Sequence, residues 1–260
     1  MKKLFRIIVI IIFISPLFLP DPGEMDMNLV LAGCTHEHLL GTDALGRDLL
    51  SRAVAAGRNS LIIAGTSAFL ASSLGFLIGT VSLTSKVLDE VLMRCTDAVK
   101  ALPAVLLSSL LMVTSGGGVL TLVIVMSAVF MPQCARLVRS EGRKQLASGY
   151  FEAAIVSGLI PGIAMIRTVM RHTLPLLKAQ IPFIFSSACI LESTLSFIGA
   201  GVSAETPTLG QMISDGRTVF ITHPRLVLIP LGMLIFFTLC FSLQWKKMSI
   251  KYEIGDEKSS

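Results

Sequence analysis

Long apolar runs alternate with short charged ones along this chain. Residues 4–19 are nearly uncharged, broken only by Arg6, and residues 61–83 carry no charge at all. Residues 98–114 hold Lys100 and Pro103 near their start, and residues 119–134 follow three glycines at 116–118. Residues 174–199 contain Lys178 and Glu192, and residues 226–245 are uncharged up to Lys246 and Lys247. A hydrocarbon layer about 30 Å thick takes roughly 20 apolar residues as a helix. The blocks therefore predict an all-α, polytopic membrane protein with about six transmembrane helices. Alternating segments of about 10 residues, the mark of a transmembrane β-barrel, do not occur. The first block opens on MKKLFR and resembles a secretory leader, but SPLFLP at 15–20 offers no small-residue cleavage pattern. It reads as an uncleaved first helix. The expected organisation is that helix and the start of an external loop in residues 1–35, then one membrane domain in residues 36–260.

Composition agrees with the pattern. The chain is 53% hydrophobic and 15% charged, against about 25% charged in soluble domains. Six helices put both termini on one side. With the N-terminus inside, 16 of the 22 Lys and Arg fall on cytosolic pieces, Arg136, Arg139, Arg143 and Lys144 among them. Only Arg47, Arg52, Arg58, Arg217 and Arg225 fall outside. This obeys the positive-inside rule and places both termini in the cytosol. The net charge of +5 then reports topology. Basic residues dispersed among loops without interleaved aromatics do not form a nucleic-acid footprint. The five cysteines are scattered, with no even external set for a disulfide framework. They read as small apolar side chains.

Three segments carry more than hydropathy. The first is HLLGTDALGRDLLSR, residues 38–52. Gly41 and Gly46 imitate the start of a phosphate-binding loop, but a P-loop needs Lys and then Ser or Thr after its second glycine. Arg47 and Asp48 stand there instead. The structural reading is a helix start. Thr42 or Asp43 would cap an N-terminus, and Asp43 with Arg47, and Asp48 with Arg52, would pair at i,i+4 on an exposed helix. Docking of an external partner is the second reading. Just before it, Cys34, His36, Glu37 and His38 invite a metal reading, but no four-ligand set is complete, and no metal site is assigned.

The second segment is YFEAAIVSGLIPGIAMIRTVMRHTLP, residues 150–175, within a charged loop spanning 136–172. Residues 150–157 predict a short helix, 158–162 a turn containing Pro161, and 163–172 a second helix, with the next span beginning at Leu174 and Pro175. Two short helices around a Gly/Pro turn suit insertion into a groove on a cytosolic protein. The third segment is LESTLSFIGAGV at 191–202 followed by PTLG at 207–210. Glu192 is a carboxylate within a span, which is costly and faces the bundle interior or water. With Ser193 and Ser196 it either lines a substrate path or serves packing.

Together these motifs resemble a family. Glu152, Ala153 and Ala154, then Gly158, then His172 to Pro175, resemble the EAA loop of ABC importer permeases. HLLGTDALGRDLLSR and the 191–210 stretch resemble the dipeptide, oligopeptide and nickel branch. The resemblance covers roughly residues 39–230. It implies the ABC type I importer permease fold in a bacterial inner membrane, with no catalytic residue and no cofactor in this chain. Its implied partners are cytosolic ATP-binding subunits, a second homologous permease subunit, an external solute-binding protein and lipid. Glu152, Ala153, Ala154, Gly158, Pro161 and Gly162 would touch the ATP-binding subunit. The cargo would be small peptides or nickel and metal-chelate complexes. The rival class is a self-contained carrier or channel, for which inverted repeats are expected; none is seen. Thirteen residues separate Gly158 from His172, more than the family carries. Four extra residues add about 6 Å if helical. Pro161-Gly162 favours an enlarged turn, or Gly162 takes the family glycine's place. Leu209 stands where the branch has Trp.

Overall fold

A computed structural model describes residues 19–202 and 206–257. Among these, all regular structure is helical apart from one isolated bridge between Thr42 and Asp48. The helices are α1 (Leu49–Ser82), α2 (Lys86–Ala101), α3 (Ala104–Thr114), α4 (Val119–Leu146), α5 (Gly149–Val156), α6 (Pro161–Phe197), α7 (Leu209–Gly216) and α8 (Arg225–Glu257). Four of them, α1, α4, α6 and α8, are long and apolar enough to cross a membrane. The expected first span, residues 4–19, lies outside the described residues but for its last.

The span expected at 98–114 is not one straight helix. It is the pair α2 and α3, bent by 92°. Leu102 is extended at φ −96°, ψ 140°, because Pro103 disfavours the helical region for the residue before it. Counting the pair once gives five spans among the described residues, roughly consistent with the expected six.

Helix α1 begins twelve residues earlier than its apolar block. Asp48 Oδ2 accepts the Ser51 N–H at 2.8 Å, a cap that satisfies an otherwise unpaired donor. Its inward face is made of small residues: Ala56, Ser60, Ala64, Ser67, Ala71, Gly75 and Gly79 are all buried. Such a face lets neighbouring backbones approach closely, which is how helices associate where lipid removes the hydrophobic drive. α1 accordingly lies along most of α4 and also meets α6. At Gly79 an added Cβ would sit 2.6 Å from the Val138 Cβ and 2.7 Å from the Ala135 carbonyl oxygen. Neither neighbour is a flexible tip. Gly79→Val is therefore expected to cost about 1–3 kcal/mol by overpacking, seen as a lower melting temperature in detergent. Phe69, Leu77, Leu120 and Leu239 point outward from the bundle and are exposed.

Candidate functional site

At one end of the bundle α4 runs on past its apolar block into a basic extension. Arg139 Nη2 lies 2.7 Å from Asp89 of α2, and Arg143 bonds the same carboxylate. Arg136 reaches Asp97 at 2.5 Å. Hydrogen bonding to Arg139 holds the Asp89 carboxyl below the usual carboxylate range, against the opposing effect of burial. This clamp fixes α2 to the stretch of α4 that leads into α5. Sequence reading listed the arginines as topology signals and missed Asp89, whose partners lie 50 and 54 residues away. The folded-state pKa is depressed, so the clamp's stabilisation is complete above the unfolded value near 3.9. It is lost as pH falls below it. Asp89→Asn is expected to lower the melting temperature at pH 7 and to flatten its decline below about pH 4, as read by thermal scans across pH.

Helix α5 carries Glu152, Ala153 and Ala154, and none of its residues whose burial is described is buried. It ends where Gly158 takes φ +89°. The Gly158 N–H donates to the Ile155 carbonyl at 2.9 Å and the Leu159 N–H to the Ala154 carbonyl at 3.2 Å. This pair of bonds is the Schellman closure, which places glycine in the left-handed region. Ile160 then caps α6 and Pro161 takes its first turn, where a missing N–H leaves nothing unsatisfied.

Two expectations are corrected here. Pro161 and Gly162 lie inside α6 and do not enlarge the turn, which is confined to 157–160. The extra residues before His172 are helical. Nor does a second short helix stop at His172. α6 continues unbroken through Pro175 and Pro182 to Phe197. Its buried stripe of Ala164, Thr168, Val169 and Thr173 anchors the first turns on the bundle, and Thr173 Oγ1 donates to the Val169 carbonyl at 2.7 Å.

Around this hairpin several of the exposed side chains are apolar. Val156 is 88% exposed and Ile160 65%. Ile163, Ile166 and Met170 follow on the outer face of α6. Glu152, Arg167 and Arg171 are exposed on the same hairpin.

At the opposite end the 38–52 motif is a tight turn, not an exposed helix. Gly41 and Gly46 both have positive φ. Thr42 is buried, its hydroxyl donating to the Leu29 carbonyl. Asp43 accepts the backbone N–H groups of Leu45 at 2.8 Å and Arg47 at 3.0 Å, and its other oxygen accepts Arg47 Nε at 2.8 Å. The expected Asp43–Arg47 pair therefore forms, but buried. The expected Asp48–Arg52 pair does not. Arg52 bonds Asp43 and lies 3.4 Å from Asp215. Asp48 caps α1 and meets His38 Nδ1 at 3.0 Å. The turn brings Asp43 over Arg52 because α1 starts at Leu49 and not at Thr42. Among the described residues His38 is thus engaged by Asp48, and no cluster with Cys34 and His36 is arranged to hold a metal.

Glu192 is completely buried. Its carboxylate accepts the hydroxyls of Ser60 at 3.0 Å, Ser196 at 2.9 Å and Ser193 at 3.3 Å. Ser60 Oγ also accepts the Leu209 N–H at 3.2 Å, and Thr208 Oγ1 donates to Ser196 Oγ at 3.3 Å. One carboxylate thus ties α1, α6 and the start of α7 together. Leu209 is fully buried there. Ser60 gave no signal in the sequence.

The profile of the family described as binding-protein-dependent transport system inner membrane component matches residues 71–245. A protein of Brucella suis biovar 1 named as a peptide transport system permease is 33% identical over 75% of this chain and 66% of its own length. The chain thus spans just under two thirds of that relative. The probable peptide ABC transporter permease protein y4tQ of Sinorhizobium fredii is 32% identical over 83% of this chain and 74% of its own length. The oligopeptide transport system permease protein OppC of Haemophilus influenzae is 29% identical over 90% and 77%. A crystal structure of an amino acid ABC transporter with histidines superposes with a TM-score of 0.59, covering 77% of this chain and 92% of that one, at 17% identity. That likeness concerns the fold alone. With the matched profile, the 32% relative and the helical bundle in agreement, the chain belongs to the family of binding-protein-dependent transport system inner membrane components.

Proposed function

We propose that this chain is one of two membrane-spanning subunits of an ATP-driven importer for small peptides. The observation that carries the reading is the α5–α6 hairpin, whose exposed apolar side chains surround the Glu152-Ala153-Ala154 stretch. In this reading the hairpin end faces the cytosol, as the basic extension of α4 supports. It seats in a groove of an ATP-binding subunit through Glu152, Ala153, Ala154, Gly158, Pro161 and Gly162. Closure of those subunits on ATP would move the hairpin, and α6, continuous with it, would carry the motion across the bundle. The extra turn at the start of α6 would set the hairpin about 6 Å farther out, so the groove that receives it should be matched to that reach. The other end faces outward, towards a solute-binding protein. The chain's task is mechanical and calls for no catalytic residue or cofactor of its own.

Peptides are favoured because the relatives above are named for peptide transport. Nickel and metal-chelate complexes are the second cargo class. Glu192, Ser193 and Ser196, read from sequence as a possible path lining, serve in this proposal as an internal tie. The test is uptake of labelled dipeptide and of nickel in a strain lacking the chain. Loss of dipeptide uptake, restored by the chain, is expected. Loss of neither would defeat both cargo readings and favour a different transported solute or a self-contained carrier.

A further inference from the structure

A pocket of about 360 Å³ opens between the stretch 19–22 and the first turns of α1, with Leu19, Pro20, Asp21, Val54 and Arg58 in its lining. Arg58 is half-buried. Its guanidinium makes no hydrogen bond or ion pair among the described residues, and its Nε is buried without a partner. The other described arginines with buried or half-buried side chains all bond an oxygen. Arg47 and Arg52 bond Asp43, Arg136 bonds Asp97, Arg139 bonds Asp89 and Arg225 bonds the Ala32 carbonyl. Asp21 lines the same pocket and is exposed. Its Oδ1 accepts the Gly23 N–H at 2.9 Å, and its Oδ2 takes no donor among the described residues. A cation and an anion thus share one pocket without pairing with each other. A charge held partly out of water calls for a compensating partner.

Depth decides which ligand reaches them. The uncharged run 61–83 begins three residues after Arg58, about 4.5 Å along the helix. The apolar block 4–19 ends at Leu19, in the pocket wall. Both boundaries put the pocket in the headgroup layer, just outside the hydrocarbon, on the side opposite the α5–α6 hairpin. Ile62 and Phe69 follow Arg58 by four and eleven residues, on the same face of α1. They are 43% and 66% exposed. An open apolar stripe therefore runs from the pocket down into the hydrocarbon layer. We propose that the pocket binds one molecule of phosphatidylethanolamine. The lipid phosphate accepts from Arg58, its ammonium donates to Asp21, and its acyl chains run down past Ile62 and Phe69. A short peptide is also a zwitterion but has no chains for the stripe. Phosphatidylglycerol has no ammonium for Asp21. The site does not depend on the cargo reading above.

The test uses the full-length chain in mild detergent, titrated with phosphatidylethanolamine, phosphatidylcholine and phosphatidylglycerol of matched chains. Native mass spectrometry reads occupancy and thermal scans read stabilisation by bound lipid. Phosphatidylethanolamine is expected to bind about tenfold more tightly than either other lipid, since only its ammonium donates charge-assisted bonds to Asp21. Arg58→Gln should weaken it at least about tenfold, and Arg58→Lys, which keeps the charge, should weaken it less. Asp21→Asn should bring phosphatidylethanolamine down to the level of phosphatidylcholine, with the melting temperature of the lipid-free chain unchanged. Asp21 is exposed, so this arm stands even if Arg58→Gln does not fold. Equal binding of the three lipids would overturn the proposal, as would binding untouched by both Arg58→Gln and Asp21→Asn. Free phosphoethanolamine binding as tightly as the whole lipid would overturn it in favour of a soluble zwitterion. Displacement of the lipid by alanyl-alanine would overturn it in favour of cargo.

Discussion

Val156→Asp is expected to abolish dipeptide uptake while leaving the chain folded. Val156 is 88% exposed at the end of α5, so its own fold loses almost nothing when the isopropyl group becomes a carboxylate. Surface substitutions away from special features stay within about 0.5 kcal/mol. In a complex the same side chain would sit at the centre of an apolar contact, where truncation of an anchoring residue costs about 2 kcal/mol or more. Placing an unpaired charge there adds desolvation to that loss. Together these predict an association weakened by more than about thirtyfold. Thermal unfolding of the purified chain and pull-down of the ATP-binding subunit separate the two terms. An unchanged melting temperature with lost association is the expected pair. Normal uptake would remove the hairpin from the coupling pathway.

Glu192→Leu is expected to destabilise the chain strongly. Ser60, Ser193 and Ser196 all donate to this carboxylate, and the leucine leaves those buried donors without their acceptor. Stranding buried hydroxyls costs about 1–3 kcal/mol for the first of them. Local rearrangement recovers part of the remainder, so a loss of about 3 kcal/mol is the working figure. For a chain of this size that is a fall in melting temperature of roughly 6–12 °C. Glu192→Gln keeps one acceptor oxygen and should lose less than half as much. Kinetics distinguish a structural tie from a path lining. A tie lowers the amount of folded importer, so the maximal uptake rate falls and KM stays the same. A path residue would change KM at unchanged stability.

The long spans were legible because hydropathy alone specifies them. What escaped was set by contacts between distant residues. The start of α1 hides in a charged stretch, since Asp48 caps the helix from within a motif that also reads as helical from Thr42. Periodicity paired Asp48 with Arg52. The turn held by Asp43 gave Arg52 a different carboxylate. The α6 boundary was misplaced because Pro175 ordinarily ends a helix, whereas neighbouring helices in a membrane bundle tolerate it. The hairpin's turn was legible at Gly158 and misjudged at Pro161, a residue equally at home in a turn and at the first position of a helix. Ser60 as a partner of Glu192, and the arginine partners of Asp89, could not be read at all, being 132 residues from the one and 50 and 54 from the other.

Docking of the α5–α6 hairpin on an ATP-binding subunit is reached most directly by a photo-crosslinking amino acid placed at position 156. Irradiation of membranes from cells that also carry an ATP-binding subunit of the source organism should yield one crosslinked product containing both chains. Its yield should change when non-hydrolysable ATP analogue is added, as the groove moves. Efficient crosslinking to lipid alone, with the ATP-binding subunit present and no protein adduct in either nucleotide state, would contradict the docking of this hairpin and the importer mechanism built on it.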